Sequence, residues 1–176
     1  MDENDKETGK MEKLKAHQLG VLHRAFSVFI FNNRGEILLQ KRAQNKYHSA
    51  GLWSNACCSH PLTKNLQKEA TSRLKKEMGI KSSLQEIFSF LYTAKIGDLS
   101  ENEIDHVFIG TFNGEVKLNK KEASDYRWIT LEYLKNEVNE NPQNYTEWFK
   151  LIYEKVFNYA VKQGYAQHDF AKSYEY

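Results

Sequence analysis

The stretch Asn55-Ala56-Cys57-Cys58-Ser59-His60-Pro61 follows a short strand-like run, Gly51-Leu52-Trp53-Ser54, and the rest of the chain is organised around it. In an extended segment, side chains alternate between the two faces of the strand. Cys58 and His60 therefore share one face, and Cys57 turns to the other. This alternation predicts a reactive thiol beside a metal-ligating imidazole, with the neighbouring thiol in the core. Two buried thiols and a structural histidine are the alternative on these residues alone.

The composition predicts one folded domain without a general affinity for polyanions. The chain has 176 residues, of which 40% are hydrophobic, and two prolines, which suits a single domain with a sizeable core. Lys and Arg number 25 against 23 for Asp and Glu. This near balance gives no overall attraction to nucleic acid or to a membrane, so an anionic ligand has to be bound by a local basic cluster.

The cysteines and the N-terminus predict a soluble cytoplasmic protein. The two cysteines are adjacent, which argues against a disulfide framework and suits a reducing compartment. The first residues are acidic and polar and lack the apolar run of a signal peptide. No segment approaches the roughly 20 apolar residues that a membrane span requires.

The order of elements predicts one mixed α/β domain. We expect a polar N-terminal arm over 1–16, a domain over 17–165 and a C-terminal tail over 166–176. Two β-rich runs, 25–31 and 36–40, flank Asn32-Asn33-Arg34-Gly35, which is typical of a β-hairpin. We predict further strands over 86–95, 107–112, 116–118 and 126–129, and helices over 131–138 and 147–163, which Thr130 and Thr146 cap.

Residues 65–79 predict an amphipathic helix. Its apolar stripe recurs every four residues, at Leu66, Ala70, Leu74 and Met78. Gly79 occupies the position of a left-handed C-terminal cap. A second stripe, Glu69, Arg73 and Glu77, predicts either an exposed ladder of ion pairs or the lining of a cleft.

The sequence offers five candidate metal ligands: His17, His23, His60, Glu101 and Glu103. The two N-terminal histidines are six residues apart around Gly20, a spacing that predicts a bend rather than one helix face. The two glutamates share one face of an extended segment. Three imidazoles and two carboxylates suit Zn²⁺, Mn²⁺ or Fe²⁺, and Glu77 is a separate oxygen donor suited to Mg²⁺.

Further polar residues suit an anionic substrate and proton transfer. A diphosphate clamp is available from Lys13, Arg42, Lys46 and Arg73. Groups able to move protons are Cys58, Tyr92 and Glu103. Trp148 lies beside the apolar stripe of the last helix, where it either packs at the core edge or overhangs a cleft. Spacing shows that these residues are available, and not that they converge.

Four segments resemble type 1 isopentenyl-diphosphate Δ-isomerase of the Nudix superfamily: Leu22–Asn32, Leu39–Arg42, Trp53–Pro61 and Glu101–Glu103. The resemblance runs from about Lys13 to about Ile152, with the motifs in the family's order. It implies a Nudix-type α/β/α sandwich with a mixed sheet, and the interconversion of isopentenyl and dimethylallyl diphosphate. We therefore expect a small-molecule diphosphate substrate, no nucleic-acid or membrane partner, and a monomer or weak dimer.

The resemblance also implies a role for each candidate residue. It assigns the five candidate ligands to one Zn²⁺, Mn²⁺ or Fe²⁺ ion, and Glu77 with Cys58 to the Mg²⁺ that accompanies the diphosphate. It assigns catalysis to Cys58 rather than Cys57, and to Glu103 with Tyr92 beside it. Substrate binding is assigned to Lys13, Arg42, Lys46, Arg73 and the aromatic wall Trp148. His17 has the weakest motif support, because the spacing of the first two histidines varies among members.

The chain departs from the Nudix hydrolase signature, which ends in Arg-Glu-apolar-x-Glu-Glu-x-Gly. Aligned on Gly79, Ser72 and Arg73 replace the Arg-Glu pair, and Lys76 replaces the first acid of the Glu-Glu pair. A hydrolase that holds several metal ions with those carboxylates would be disabled by the changes. We weigh two alternatives to the isomerase: a Nudix pyrophosphohydrolase, and a metal-stabilised domain that binds an anionic partner.

Overall fold

A computed structural model describes residues 1–166 as four helices, one 3₁₀ turn and seven strands. The helices are α1 (Lys13–Leu19), α2 (Leu66–Met78), α3 (Leu131–Glu140) and α4 (Glu147–Lys162), with the 3₁₀ turn at Pro142–Asn144. The strands are β1 (His23–Phe31), β2 (Ile37–Arg42), β3 (Trp53–Asn55), β4 (Cys57–Ser59), β5 (Gln85–Ile96), β6 (Leu99–Thr111) and β7 (Ala123–Ile129).

All seven strands form one mixed sheet with β1 at its centre. The main order is β3-β2-β1-β6-β5, with β4 also paired to β1 and β7 to β2. β1 runs parallel to β6 and antiparallel to β2 and β4, and β5 and β6 form a long antiparallel hairpin. The parallel pair brings the N-terminal ends of β1 and β6 to the same edge of the sheet, which is where the candidate ligands lie.

Helices cover both faces of the sheet, so the predicted α/β/α sandwich is confirmed. On one face, α2 buries Ala70, Leu74 and Met78 against the side chains of β1 and β2. On the other face, α4 buries Phe149, whose ring packs on Phe29 of β1. Each fully buried side chain of this size stabilises the fold by about 1.5 to 3 kcal/mol relative to exposure.

Helix α2 begins and ends where the sequence predicts. The side chain of Asn65 accepts a hydrogen bond from the backbone N–H of Lys68, which caps the first turn. Gly79 ends the helix with φ +70°, in the left-handed region that favours glycine. Of the second stripe, Arg73 and Glu77 line a cavity and Glu69 does not, so the cleft alternative holds for two of the three residues.

The predicted hairpin and the bend between the first two histidines are confirmed. Gly35 turns the hairpin with φ +75°, and Asn32 N–H donates to the Glu36 carbonyl at 3.0 Å. Gly20 ends α1 with φ +62°, so the chain reverses before β1 begins. The turn between β5 and β6 is tighter than the predicted segment 97–100, because β5 runs to Ile96 and β6 begins at Leu99.

The predicted strand over 116–118 is wrong. This segment pairs with the end of α2 rather than with the sheet: Lys117 N–H donates to the Met78 carbonyl, and Asn119 N–H to the Glu77 carbonyl, at 2.9 and 2.8 Å. Val116 is apolar because it is buried against α2. These bonds satisfy carbonyl groups that the last turn of a helix leaves without a partner.

Thr130 and Thr146 precede α3 and α4 as predicted, but neither side chain caps its helix. The hydroxyl of Thr146 instead shares a buried hydrogen bond of 2.9 Å with that of Ser54. The domain boundaries stay a prediction. Helix α1 spans the expected boundary between residues 16 and 17, and the predicted tail lies outside the described residues beyond Ala166. No helix within residues 1–166 is long and apolar enough to cross a membrane.

Candidate active site

Three histidines and two glutamates form a cluster at the edge where β1 and β6 begin. The parallel register sets His23 of β1 directly opposite Glu103 of β6. Glu101 precedes Glu103 by two residues, so both carboxylates point to the same face. His17 arrives from the end of α1, and His60 follows β4. One donor atom from each of the five residues lies within 4.8 Å of all the others.

The histidines of this cluster are oriented by their second ring nitrogens. Nδ1 of His17 donates to the Lys13 carbonyl, and Nδ1 of His23 to the Val21 carbonyl, each at 2.7 Å. Such bonds fix the tautomer and direct the free Nε2 lone pair towards a metal. Nε2 of His17 is buried without a hydrogen bond, 3.3 Å from Glu101 Oε2. An unpaired imidazole nitrogen beside carboxylates is the environment that a divalent metal ion satisfies.

Glu103 connects the cluster to the rest of the site. Its Oε1 lies 2.7 Å from His60 Nε2 and 3.2 Å from His23 Nε2. Burial acts to raise the pKa of Glu103, but these imidazoles outweigh it and hold the pKa well below its usual range. Burial lowers the pKa of His60 to about 4, which leaves its ring neutral and able to bind a metal.

Tyr92 holds the other oxygen of Glu103. The two residues are direct partners across β5 and β6, and the phenol donates a 2.6 Å hydrogen bond to Glu103 Oε2. Burial and the neighbouring carboxylate raise the pKa of Tyr92, so the phenol keeps its proton. The tyrosine therefore both orients the carboxylate and donates to it.

A cavity of about 320 Å³ opens beside this cluster. His17 and His23 belong to the five-residue cluster and do not line the cavity. Every other predicted site residue lines it: Lys13, Arg42, Lys46, Cys58, His60, Arg73, Glu77, Tyr92, Glu101, Glu103 and Trp148. Cys58 and Glu103 lie on strands that flank β1 from opposite sides. They therefore face one space from two directions.

The two adjacent thiols point to different sides of the sheet, as predicted. Cys57 is fully buried in the core beneath α2, whereas Cys58 lines the cavity. Burial raises the pKa of Cys58 to about 12, although the Arg42 guanidinium acts to lower it. The free protein thus holds Cys58 as a neutral thiol.

Two cationic and two acidic side chains also line the cavity: Lys46, Arg73, Glu77 and Glu122. Arg73 Nε lies 2.5 Å from Glu77 Oε1, and its Nη2 lies 3.3 Å from Glu122 Oε2. Lys46 makes a short ion pair with the same oxygen of Glu122. Burial raises the pKa of Glu77, even though Arg73 acts to lower it. This constellation offers a carboxylate for a hard cation and two cationic groups for phosphate oxygens.

Arg42 and Trp148 form one wall of the cavity. The guanidinium carbon lies 5.2 Å from the indole ring centre, and the indole N–H donates to Ser54 Oγ at 2.9 Å. Trp148 is buried at the edge of the core and also lines the cavity, so both predicted alternatives hold. Lys13 also lines the cavity, and its Nζ lies 5.4 Å from the Tyr47 ring centre.

The structure adds residues that the sequence reasoning missed: Ser27, Tyr47, His48, Asp105 and Glu122. Asp105 continues the alternation of Glu101 and Glu103 along β6, and this signal was available in the sequence. It is buried and accepts a 2.7 Å bond from the Ser27 hydroxyl. His48 Nε2 lies 3.5 Å from Glu101 Oε1 in a loop whose course no sequence pattern indicated.

A NUDIX-domain family model matches residues 21–149, and the chain belongs to this class of proteins. Within the class, isopentenyl-diphosphate Delta-isomerase 2 of Photorhabdus laumondii is 49% identical over 154 residues, covering 86% of this chain and 87% of the relative. Isopentenyl-diphosphate Delta-isomerase 1 of Aromatoleum aromaticum is 47% identical over 158 residues, covering 89% of each. The chain belongs to the isopentenyl-diphosphate Δ-isomerase family.

Solved structures with low sequence identity support the fold. A MutT protein from Methanosarcina mazei Go1 superposes with a TM-score of 0.60 at 21% identity, covering 81% of this chain and 95% of that one. DR0079 from Deinococcus radiodurans superposes with a TM-score of 0.57 at 16% identity, covering 68% and 74%. These likenesses concern the arrangement of helices and strands.

Proposed function

We propose that this protein is an isopentenyl-diphosphate Δ-isomerase in which Cys58 and Glu103 exchange protons with the bound five-carbon chain. The observation that carries the proposal is their placement: both side chains line one cavity, on strands that flank β1 from opposite sides. The substrate diphosphate binds against Arg42, Lys46 and Arg73, which line this cavity. Trp148 forms the wall beside the hydrocarbon.

The isomerisation adds a proton to the terminal alkene carbon and removes one from C2, so the enzyme gains no net proton. One group donates while the other accepts, and the two exchange roles in the reverse direction. Burial raises the pKa of Cys58 and the neighbouring imidazoles lower that of Glu103, which favours a state with the proton on the thiol. From this state the thiol donates and the carboxylate accepts, whereas the opposite distribution supports transfer in the other direction.

The positively charged character that develops on the substrate needs a dry, electron-rich surrounding. The Trp148 face supplies such a surface, and a cation over a desolvated indole gains about 2 kcal/mol. Tyr92 holds the Glu103 carboxylate at 2.6 Å, which keeps it aimed at the cavity. Because an alkene is a weak base, this positioning matters as much as the acidity of the donor.

The five-ligand cluster suits one Zn²⁺, Mn²⁺ or Fe²⁺ ion, held by His17, His23, His60, Glu101 and Glu103. Glu77 would hold a Mg²⁺ ion that accompanies the diphosphate, and Cys58 lines the same cavity. When bound, the two metals supply positive charge that neutralises the diphosphate and stabilises the ionised carboxylate.

Diphosphate hydrolysis is a poor alternative for this site. A Nudix hydrolase needs several carboxylates on the helix that corresponds to α2. In this chain, Arg73 and Lys76 occupy positions where the signature has acids. Arg73 also forms an ion pair with the remaining acid, Glu77. Release of phosphate from nucleoside diphosphates is the reaction that would favour the hydrolase.

The test compares Cys58→Ala and Glu103→Gln with Cys57→Ala, a matched control at the adjacent thiol that faces the core. Turnover is followed as the acid-labile allylic product formed from isopentenyl diphosphate in the presence of Mg²⁺. We expect no detectable turnover in the first two variants and wild-type turnover in the control, with all three folded by circular dichroism. An active Cys58→Ala or Glu103→Gln enzyme would refute the role of that residue.

A further inference from the structure

Glu122 is an anionic side chain placed among the cations that bind the substrate anion. Its Oε2 accepts from both Lys46 Nζ and Arg73 Nη2, and its side chain is 14% exposed. Lys46 and Arg73 are two of the three cations against which the proposed function places the diphosphate. One carboxylate oxygen therefore accepts hydrogen bonds from two of the groups that the diphosphate requires.

The backbone around Glu122 holds this carboxylate in place. The carbonyl of Glu122 accepts from Ala43 N–H at 3.1 Å, and its own N–H donates to the Asn119 carbonyl at 2.9 Å. Asn119 N–H is in turn bonded to the Glu77 carbonyl at the end of α2. These bonds fix the backbone of Glu122 beside the loop that carries Lys46 and beside α2, which carries Arg73.

Electrostatics then makes Glu122 a competitor of the diphosphate. Before the diphosphate binds, Glu122 forms ion pairs with Lys46 and Arg73, and the incoming diphosphate has to displace them. After binding, the carboxylate remains close to phosphate oxygens of the same sign. Both effects weaken anion binding, and both are strong in a partly buried site because screening by solvent is reduced.

Weaker diphosphate binding is useful in this reaction because the substrate and product share the same diphosphate. Contacts to that group stabilise the substrate, the transition state and the product alike, so they tighten binding without accelerating the chemical step. Excess affinity would instead slow the release of product. A carboxylate that reclaims the two cations counteracts this.

We propose that Glu122 is an internal counter-anion that competes with the substrate diphosphate for Lys46 and Arg73 and so speeds the release of product. This inference rests on the proposed function, since that function places a diphosphate at these two cations. Glu122 acts through Lys46 and Arg73 and takes no part in proton transfer. It is a positioning residue that tunes affinity.

The test measures the binding of inorganic pyrophosphate to wild-type protein and to Glu122→Gln, by titration calorimetry and by dissociation kinetics, with and without Mg²⁺. Gln keeps the shape of the side chain and removes its charge. We expect pyrophosphate to bind on the order of tenfold more tightly to Glu122→Gln, and to dissociate correspondingly more slowly. In isomerase assays, KM should fall, and kcat should not rise.

Three further variants make the result decisive. Glu122→Asp keeps the charge and should bind pyrophosphate with nearly wild-type affinity, whereas Glu122→Ala removes it and should bind more tightly, as Glu122→Gln does. Glu115→Gln removes an exposed charge distant from the cavity and should change nothing. Thermal unfolding shows that each variant is folded before its affinity is compared.

A purely structural role predicts the opposite sign. If Glu122 only held Lys46 and Arg73 in position, its loss would weaken pyrophosphate binding. Unchanged or weaker affinity in folded Glu122→Gln and Glu122→Ala, or an unchanged dissociation rate, overturns the inference. Failure of the proposed function is distinguishable, because wild-type protein would then bind pyrophosphate without isomerising isopentenyl diphosphate.

Discussion

Cys57 and Cys58 are neighbours in the chain with opposite surroundings. Cys57 packs beneath α2 with no exposure, and Cys58 faces a cavity that also contains Arg42 and Glu103. Alternation along a strand was sufficient to predict this difference from sequence. The protonation of Cys58 was not predictable, because it depends on the balance between burial and the charge of Arg42, and only the structure gives that balance.

Tyr92→Phe tests the hydrogen bond to the Glu103 carboxylate. The change removes the 2.6 Å donor and keeps the ring, which stacks on Phe90 with ring centres 5.4 Å apart. We expect kcat to fall by about 10²-fold while the protein stays folded, because a positioned proton-transfer partner typically contributes at this level. Steady-state kinetics measures the effect.

Tyr133→Phe is the control for that substitution, since the Tyr133 side chain is exposed on α3. It should have wild-type kcat. A Tyr92→Phe enzyme with wild-type kcat would show that the phenol of Tyr92 has no part in orienting Glu103.

At the scale of elements, Gly79 ends α2 and packs against Lys117, in the segment that follows β6. A Cβ added there would lie 2.7 Å from Lys117 Cβ and 2.9 Å from the Lys117 carbonyl oxygen, at φ +70°. Gly79→Ala should therefore lower the free energy of unfolding by more than about 1 kcal/mol. Urea denaturation measures the loss.

Gly97→Ala separates the two causes in that prediction. Gly97 has φ +60°, but a Cβ there meets no atom within 4 Å, so this variant has the backbone strain alone. We expect Gly79→Ala to be the more destabilising of the two. Equal losses would mean that contact with Lys117 contributes nothing.

Glu137 links α3 to β7 and to the loop before α4. Arg127 Nη1 lies 3.2 Å from Glu137 Oε1, and the Tyr145 hydroxyl donates to Oε2 at 2.6 Å. Burial acts to raise the pKa of Glu137, but these donors outweigh it and lower the pKa from 4.5. A lowered carboxyl pKa gives stability that is present above pH 4.5 and is lost as the pH falls through the folded-state pKa.

Glu137→Gln should therefore be less stable than the wild type near pH 7, by about 0.5 to 1 kcal/mol for this partly exposed pair. The difference should shrink below about pH 4.5, where the wild-type carboxyl becomes protonated. Thermal melts across pH 3 to 8 measure it, with Glu140→Gln on the same helix as control. A difference that is constant over this range would exclude ionisation as its cause.

At the scale of the whole molecule, the five candidate metal ligands join α1, β1, the end of β4 and β6. Removing the metal with a chelator should lower the melting temperature and increase hydrogen exchange in α1, because ligand binding to the folded state stabilises it. Glu101→Gln should show a smaller response to the chelator. A melting temperature unchanged by chelation would indicate that the five side chains hold no metal in solution.

The sequence predicted most helices and strands of this molecule, but few of the contacts between them. Apolar periodicity located α2, α4 and the β1–β2 hairpin, because local side-chain patterns determine those elements. The contact of His23 with Glu103 joins residues 80 positions apart through parallel pairing, which no local pattern contains. The sequence offered the five candidate ligands and the family resemblance assigned them to one ion, whereas His48 and Glu122 lie in loops that neither periodicity nor the quoted motifs indicated.

The change of side between Cys57 and Cys58 has a consequence for how such a chain tolerates length changes. Inserting or deleting a single amino acid ahead of β4 would shift its register by one residue against Ser27 and Val28 of β1. Cys57 and Cys58 would then exchange faces of the sheet. The composition would be almost unchanged and a thiol would still face the cavity, but it would be the thiol of Cys57. We expect spacing in this connection to be under tighter selection than the identity of its side chains.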